Sequence, residues 1–181
     1  MIYCWKFRYR DIFIYLASSE KGAKKIGISM EDLDPLFYFK KNFSDLKLDL
    51  SHNLPLAEAV MNRLMNDKEI KIFLDVTLTP FQWKVLNAIR DIPFGETKTY
   101  KQIAEKINRP KAIRAIANAL RLNPLPIIFP CHRVVSENSI GGFSFGVSIK
   151  QYLLKYEREI LHENSSLSYK TRENKRERFM L

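Results

Sequence analysis

The rhythm of apolar positions along this chain changes near residue 77. Before that point, short runs rich in β-branched and aromatic residues dominate: Ile2 to Phe7, Ile12 to Ala17 and Ala23 to Ser29. Polar turns, Arg8 to Asp11 and Ser18 to Gly22, separate them. The pattern predicts a small antiparallel meander. Leu33 to Phe43 has the spacing of a helix, and Leu46 to Leu50 alternates with period two. Leu56, Ala59, Val60, Leu64 and Met65 recur at helical spacing. Ile70 to Val76 reads as extended, after a turn at Asn66 to Lys68. Residues 1–76 therefore read as a small α+β domain. None of its residues forms a recognisable active site, and its expected role is support.

From residue 77 the period becomes helical. Thr79 is placed to cap a helix, Pro80 suits its first turn, and Phe81, Val85, Leu86 and Ile89 form its apolar face. Ile92-Pro93-Phe94-Gly95 ends it. A short helix is predicted from Thr99 to Ile107, with Ile103, Ala104 and Ile107 inward. After the turn Asn108-Arg109-Pro110, a further helix runs from Lys111 to Leu122. Arg114 and Arg121 share one stripe of that helix, and Ala112, Ala115, Ala117 and Ala119 leave it slim. Two short helices about a tight turn are the pattern of a helix-turn-helix, and equally of an αα-hairpin packed on its own domain. Asn123-Pro124-Leu125-Pro126 then breaks the helix. Past the turn Ser136 to Ser139, the stretch from Ile140 to Gly146 is a glycine-rich loop bearing Phe143 and Phe145. Such a loop can bring backbone groups close to a ligand, or simply move. Ser148 to Glu157 is a last helix. Residues 158–181 read as a basic polar tail with few anchors, a flexible segment.

Chemistry concentrates at Ile127 to Val135, an apolar run that holds Pro130-Cys131-His132-Arg133. A thiol in such a run is usually inert packing. Beside an imidazole that can take its proton, it becomes a nucleophile near neutral pH. Pro130 fixes one backbone angle on the approach to the sulfur.

Composition narrows the field. The 181 residues are 46% apolar and 12% aromatic, enough for a folded core. No apolar run approaches the ~20 residues of a membrane span. The start of the chain carries charges too early for a signal peptide. Cys4 and Cys131 are far apart, which fits two reduced thiols and a cytoplasmic protein, nuclear in a eukaryote. His52, His132 and His162 are scattered, so neither a metal site nor a cofactor is expected. The formal net charge of +10 favours a polyanionic partner, although a generally lysine-rich surface would produce the same figure.

Taken together, these segments resemble the O6-alkylguanine-DNA alkyltransferases, the methylated-DNA–protein-cysteine methyltransferase family. The resemblance rests on Thr79-Pro80-Phe81-Gln82, Ile92 to Thr97 with Tyr100, and Ala115 to Ala119. It continues through Asn123-Pro124, Ile128 to Val135, the glycine loop, and Lys150 to Glu157. It covers roughly residues 77–157, in order and at compatible spacing. It implies an α+β protein: a small N-terminal α/β domain with an antiparallel sheet (1–76), a mostly helical DNA-binding and alkyl-acceptor domain with a helix-turn-helix (77–157), and the tail. The implied activity is DNA repair, by one irreversible transfer of an alkyl group from guanine O6, or thymine O4, to the protein's own cysteine. The implied partner is double-stranded DNA bearing O6-alkylguanine, bound by a monomer with the damaged base flipped out.

Residue by residue, the resemblance makes Cys131 the acceptor and His132 the base acting through a water. Glu157 orients His132, Asn123 pins the turn that presents the cysteine, and Tyr100 assists flipping and donates to the leaving guanine. Arg114 fills the vacated stack, while Thr99, Ala115 and Arg121 lie on the DNA-facing surface. Val134, Phe143, Ser144, Phe145 and Pro126 line the base pocket. Departures from the family pattern are Phe143, where many relatives have tyrosine, and Phe145, Ala119 and Leu122, where glycine is found. A ring at Phe145 is expected to narrow the pocket against large substituents such as benzyl. Ala119 and Leu122 are expected to alter how closely the recognition helix nears DNA. The alternatives are a non-catalytic helix-turn-helix reader of alkylated DNA or a regulator, which the presence of Cys131 disfavours, and a cysteine hydrolase, for which no oxyanion hole is evident.

Overall fold

Three strands begin the computed structural model, which describes residues 1–178 and, apart from Asn66, their side chains through His162. β1 (Ile2–Tyr9), β2 (Ile12–Ser19) and β3 (Gly22–Ser29) form the expected antiparallel meander. The poor alternation of β2 has a physical cause, because both of its faces are covered. Ile12, Ile14 and Leu16 face the main core, while Tyr15 and Ala17 face a smaller cluster with Cys4 and Phe39. A short strand, β4 (Leu46–Leu48), joins β1 in parallel, so the sheet order is β3-β2-β1-β4 and the sheet is antiparallel except at that edge.

The helix expected over Leu33 to Phe43 is shorter. It is α1 (Pro35–Phe39), started by Pro35 and by an Asp34 carboxylate that accepts from the Phe37 N–H. α2 (Leu54–Asn66) covers the main-core face and ends in Asp67, a left-handed residue at φ 51°. The extended stretch before Thr77 forms no strand. It is tied to the sheet by one bridge, through Ala23 N–H to Phe73 C=O at 2.9 Å and Asp75 N–H to Ala23 C=O at 2.8 Å.

α3 (Pro80–Arg90) and α4 (Tyr100–Lys106) each begin with a reciprocal capping box. Thr79 and Thr99 hydroxyls accept from Gln82 and Gln102 N–H, and each glutamine side chain accepts back from the threonine N–H. α5 (Ile113–Arg121) follows a turn in which Asn108 takes φ 55°. Ile116, Ala119 and Leu120 point inward, and Arg114 and Ala115 are exposed. One continuous core joins the sheet to these helices, from Ile12, Ile14 and Val60 to Val85, Leu86 and Ile116.

The last helix, α6 (Val147–Arg178), passes Glu157, where the sequence pattern ended it and began a polar tail. No proline or glycine follows Gly146, so nothing in the chain breaks the backbone ladder there. The end of the anticipated tail, residues 179–181, lies outside the described residues. Two further strands escape any periodicity argument because each is two residues long. β5 (Lys98–Thr99) and β6 (Val134–Val135) pair in parallel. Among the described residues no helix is long and apolar enough to cross a membrane.

Candidate active site around Cys131

Cys131 sits on a single 3-10 turn, Cys131–Arg133, between the end of α5 and β6. Asn123 organises the approach. Its Nδ2 donates to Phe129 C=O at 2.8 Å and to Cys131 Sγ at 3.1 Å, and its Oδ1 accepts from Leu125 N–H at 3.0 Å. One amide therefore holds both ends of the loop and the sulfur. Ile127, inside that loop, takes φ 75°. A β-branched residue in the left-handed region costs about 1–3 kcal/mol, which the surrounding structure must offset. It does so by burying Leu125, Ile127 and Phe129, with Phe129 edge-on to Trp83. The β5–β6 pairing then sets the exit of the cysteine turn beside the first residue of α4, Tyr100.

His132 is buried, and its Nε2 lies 2.7 Å from Glu157 Oε1. Glu157 also accepts from Gly95 N–H at 2.9 Å and from Arg133 Nε at 3.0 and 3.1 Å. Burial alone would raise the Glu157 pKa, but His132, Arg133 and the Gly95 N–H outweigh it and hold the carboxyl at about 2. An ionised carboxylate only accepts, so Nε2 carries the ring proton. The other ring nitrogen, Nδ1, is buried and has no hydrogen-bond partner among the described residues. That leaves a basic nitrogen next in sequence to the thiol. Gly95 can present its N–H here because it takes φ 77°.

Arg133, unassigned in the sequence reading, is 1% exposed and joins the two halves of the chain. Besides Glu157 it donates to Ile92 C=O at 2.7 Å and to Asp67 Oδ1 at 2.9 Å. Asp67, at the end of α2, also accepts from Phe94 N–H at 3.1 Å and pairs with Arg63 at 3.0 Å. The first 76 residues, expected only to support, thus supply a carboxylate to the network behind His132. A signal existed in the sequence: Arg133 is a charge inside an otherwise apolar run. The same holds for Lys150, which lies on the buried face of α6 with Leu153, Leu154 and Glu157. Its Nζ donates to Val134 C=O at 2.6 Å and Gly142 C=O at 3.1 Å, and burial lowers its pKa to about 8 against the opposing pull of Cys131.

Burial pushes the Cys131 thiol up to about 11, with the Asn123 bond and Lys150 working the other way.

A cavity of about 370 Å³ opens onto Cys131. Tyr100, Phe143 and Ser144 line it, as expected, and so do Ala117, Leu120 and Gly142. Arg121, expected on the DNA-facing surface, also lies on its lip. Val134, Pro126 and Phe145, placed in the pocket from sequence, do not line it. Val134 and Pro126 are buried in the frame behind the cysteine turn, and Phe145 packs edge-on against Phe143 with ring centres 5.4 Å apart. Ala119 points into the core, so its methyl does not stand between α5 and a groove, whereas Leu122 is exposed. Thr99 caps α4, and Arg114 and Ala115 lie on the exposed side of α5. A larger cavity, about 500 Å³, lies between Arg63, Phe73, Arg90 and Phe129, but no cysteine, serine or histidine lines it. Among the described residues no group of three or more His, Cys, Asp or Glu could hold a metal ion.

Residues 80–159 match the family model for the 6-O-methylguanine DNA methyltransferase DNA-binding domain. The inducible methylated-DNA–protein-cysteine methyltransferase of Bacillus subtilis is 35% identical over 160 residues, covering 86% of this chain and 89% of that protein. This chain belongs to the methylated-DNA–protein-cysteine methyltransferase family. A probable member from Acanthamoeba polyphaga mimivirus is 50% identical over 94 residues, or 52% of this chain; the chain spans 63% of that viral relative's length, under two thirds. The crystal structure of Mycobacterium tuberculosis OGT in complex with DNA superimposes with a TM-score of 0.71 at 25% identity, covering 87% of this chain and 94% of that one. The sequence reading had drawn the same family from the cysteine run and its neighbours.

Proposed function

We propose that this chain repairs O6-alkylguanine in double-stranded DNA by moving the alkyl group to Cys131 Sγ, once per molecule. The observation that carries the reading is the sulfur itself. It lies on a cavity, accepts a bond from Asn123, and is followed by an imidazole whose far nitrogen is fixed by Glu157. A base inside a duplex is unreachable, so the damaged nucleotide swings into the cavity, at a cost of a few kcal/mol. Arg114, on the exposed face of α5, fills the gap in the stack, and Thr99 and Ala115 lie on the same DNA-facing side. In this reading α4 and α5 are the helix-turn-helix, and residues 77–157 carry the chemistry.

The transfer is an in-line displacement. The S–C bond forms as the C–O6 bond breaks, and guanine leaves with the electron pair. The thiol proton passes through a bridging water to His132 Nδ1, and the imidazolium is stabilised by Glu157. Tyr100 lines the cavity, and burial, with Cys131 adding to it, raises its pKa. Its hydroxyl is therefore protonated and able to donate to the departing base. The product is a thioether without a good leaving group, which ends the cycle. Two free thiols accord with a reducing, intracellular setting, and a monomer suffices for every step.

The test is intact mass after incubation with an oligonucleotide carrying O6-methylguanine. A gain of one methylene at Cys131, absent in Cys131→Ser, is the expected result. Tight binding with no gain in mass would overturn it in favour of a non-catalytic reader.

A further inference from the structure

One charged residue, Arg121, lines the Cys131 cavity, and none of the lining residues is acidic. Arg121 closes α5 and is exposed. Its Nη2 donates to the neutral Asn118 side chain at 2.9 Å, and among the described residues no carboxylate pairs with it. Ser144 Oγ donates to the Arg121 C=O at 2.8 Å, so the glycine loop is fastened to the helix end that carries this arginine. A second cation, Lys150 Nζ, is bonded to the C=O of the lining residue Gly142. The lining of the alkyl-acceptor cavity thus carries one positive charge and no negative one. A methyl group makes no use of that charge. A substituent ending in a carboxylate would, because a guanidinium fork matches two carboxylate oxygens.

We propose that this cavity favours O6 substituents ending in a carboxylate, such as carboxymethyl, and that Arg121 is the residue that recognises the charge. The proposal rests on the transfer reading of the same site. The chemistry balances in the same way. Sγ attacks the methylene, the C–O6 bond breaks with its pair to guanine, and the thiol proton passes through the bridging water to His132 Nδ1. S-carboxymethylcysteine remains, with its carboxylate against Arg121. The cations also offset the repulsion between that carboxylate and the developing thiolate.

The experiment compares single-turnover transfer from duplexes containing O6-carboxymethylguanine and O6-propylguanine, a neutral substituent of similar length, at one salt concentration. The readout is the ratio of the two rates, with O6-methylguanine as the common reference. In the unaltered protein the ratio favours carboxymethyl. Arg121→Gln is expected to lower it by about tenfold or more, the scale of one lost charge-assisted bond, and Arg121→Lys to retain part of it. An arginine that serves only a DNA phosphate would slow all three substrates alike and leave the ratio unchanged. That outcome overturns the proposal while leaving alkyl transfer intact. Absence of transfer even from O6-methylguanine overturns the underlying reading instead.

Discussion

The chain contains two cysteines, and their surroundings differ in an instructive way. Both are buried, and burial pushes both thiols up to about 11, with Asp34 contributing at Cys4. By that measure they are the same residue. Cys4, however, lies in a sheet strand, fully covered, and its thiol is a donor to Lys47 C=O at 3.5 Å. Cys131 is an acceptor from Asn123, opens onto a cavity, and has a cation and an oriented imidazole close by. Burial therefore does not separate an inert thiol from a nucleophile. What separates them is whether the neighbouring groups stabilise sulfur as an anion and whether a substrate can reach it.

The largest contrast comes from removing each sulfur. Cys131→Ala is expected to abolish alkyl transfer, with no alkyl mass gained. Cys4→Ala should leave transfer within about twofold and lower stability by about 1 kcal/mol, the size of a small core truncation, read as a shift in Tm.

Glu157→Gln comes next. It should slow transfer by roughly 10²–10⁴-fold, the range of an impaired acid–base group. It should also change the acid limb of stability. The Glu157 carboxyl is held at about 2, below its ordinary value of about 4.3, so its contribution is complete above pH ~4.3 and is lost as pH falls toward 2. The contribution is on the order of 3 kcal/mol, and it should be missing from the acid-unfolding curve of Glu157→Gln. An unchanged curve would mean that the carboxylate is not ionised in the folded state.

Asn123→Ala removes the donor that distinguishes Cys131 from Cys4, together with two loop bonds. A stability loss of about 1–3 kcal/mol is expected, the cost of leaving buried partners unsatisfied, and transfer should slow by more than that loss of folded protein accounts for. Asp67→Asn should have the smallest effect on rate. It weakens the hold on Arg133 from a residue that is partly exposed, so a destabilisation of about 1–2 kcal/mol is expected with a severalfold slowing of transfer. If the slowing is absent, the N-terminal half contributes stability without positioning His132 and Glu157.

Legibility in the sequence followed the length scale of each signal. The meander was readable because three eight-residue strands carry dense β-branched and aromatic content. The starts of α3 and α4 were readable because their capping boxes are local. The reactive residues were readable because Pro130, Cys131 and His132 are contiguous. Sequence reading failed where a partner was remote. Arg133 meets Asp67 across 66 positions, and Lys150 bonds a carbonyl 16 positions away. Pocket membership failed in the same manner: Val134 and Pro126 were expected in the pocket, and both are buried without lining it.

By itself the sequence determined which groups are available: a thiol next to an imidazole, a carboxylate on a helix face, a slim helix with exposed arginines, and the family to which that order belongs. These follow from residue identity and short-range spacing, which backbone geometry converts directly into faces and caps. Only the tertiary structure decided that burial raises the Cys131 thiol pKa, that Arg121 borders the cavity, and that a carboxylate from the first half of the chain backs the histidine. Those depend on desolvation and on charge at distances set by packing, which no local pattern encodes.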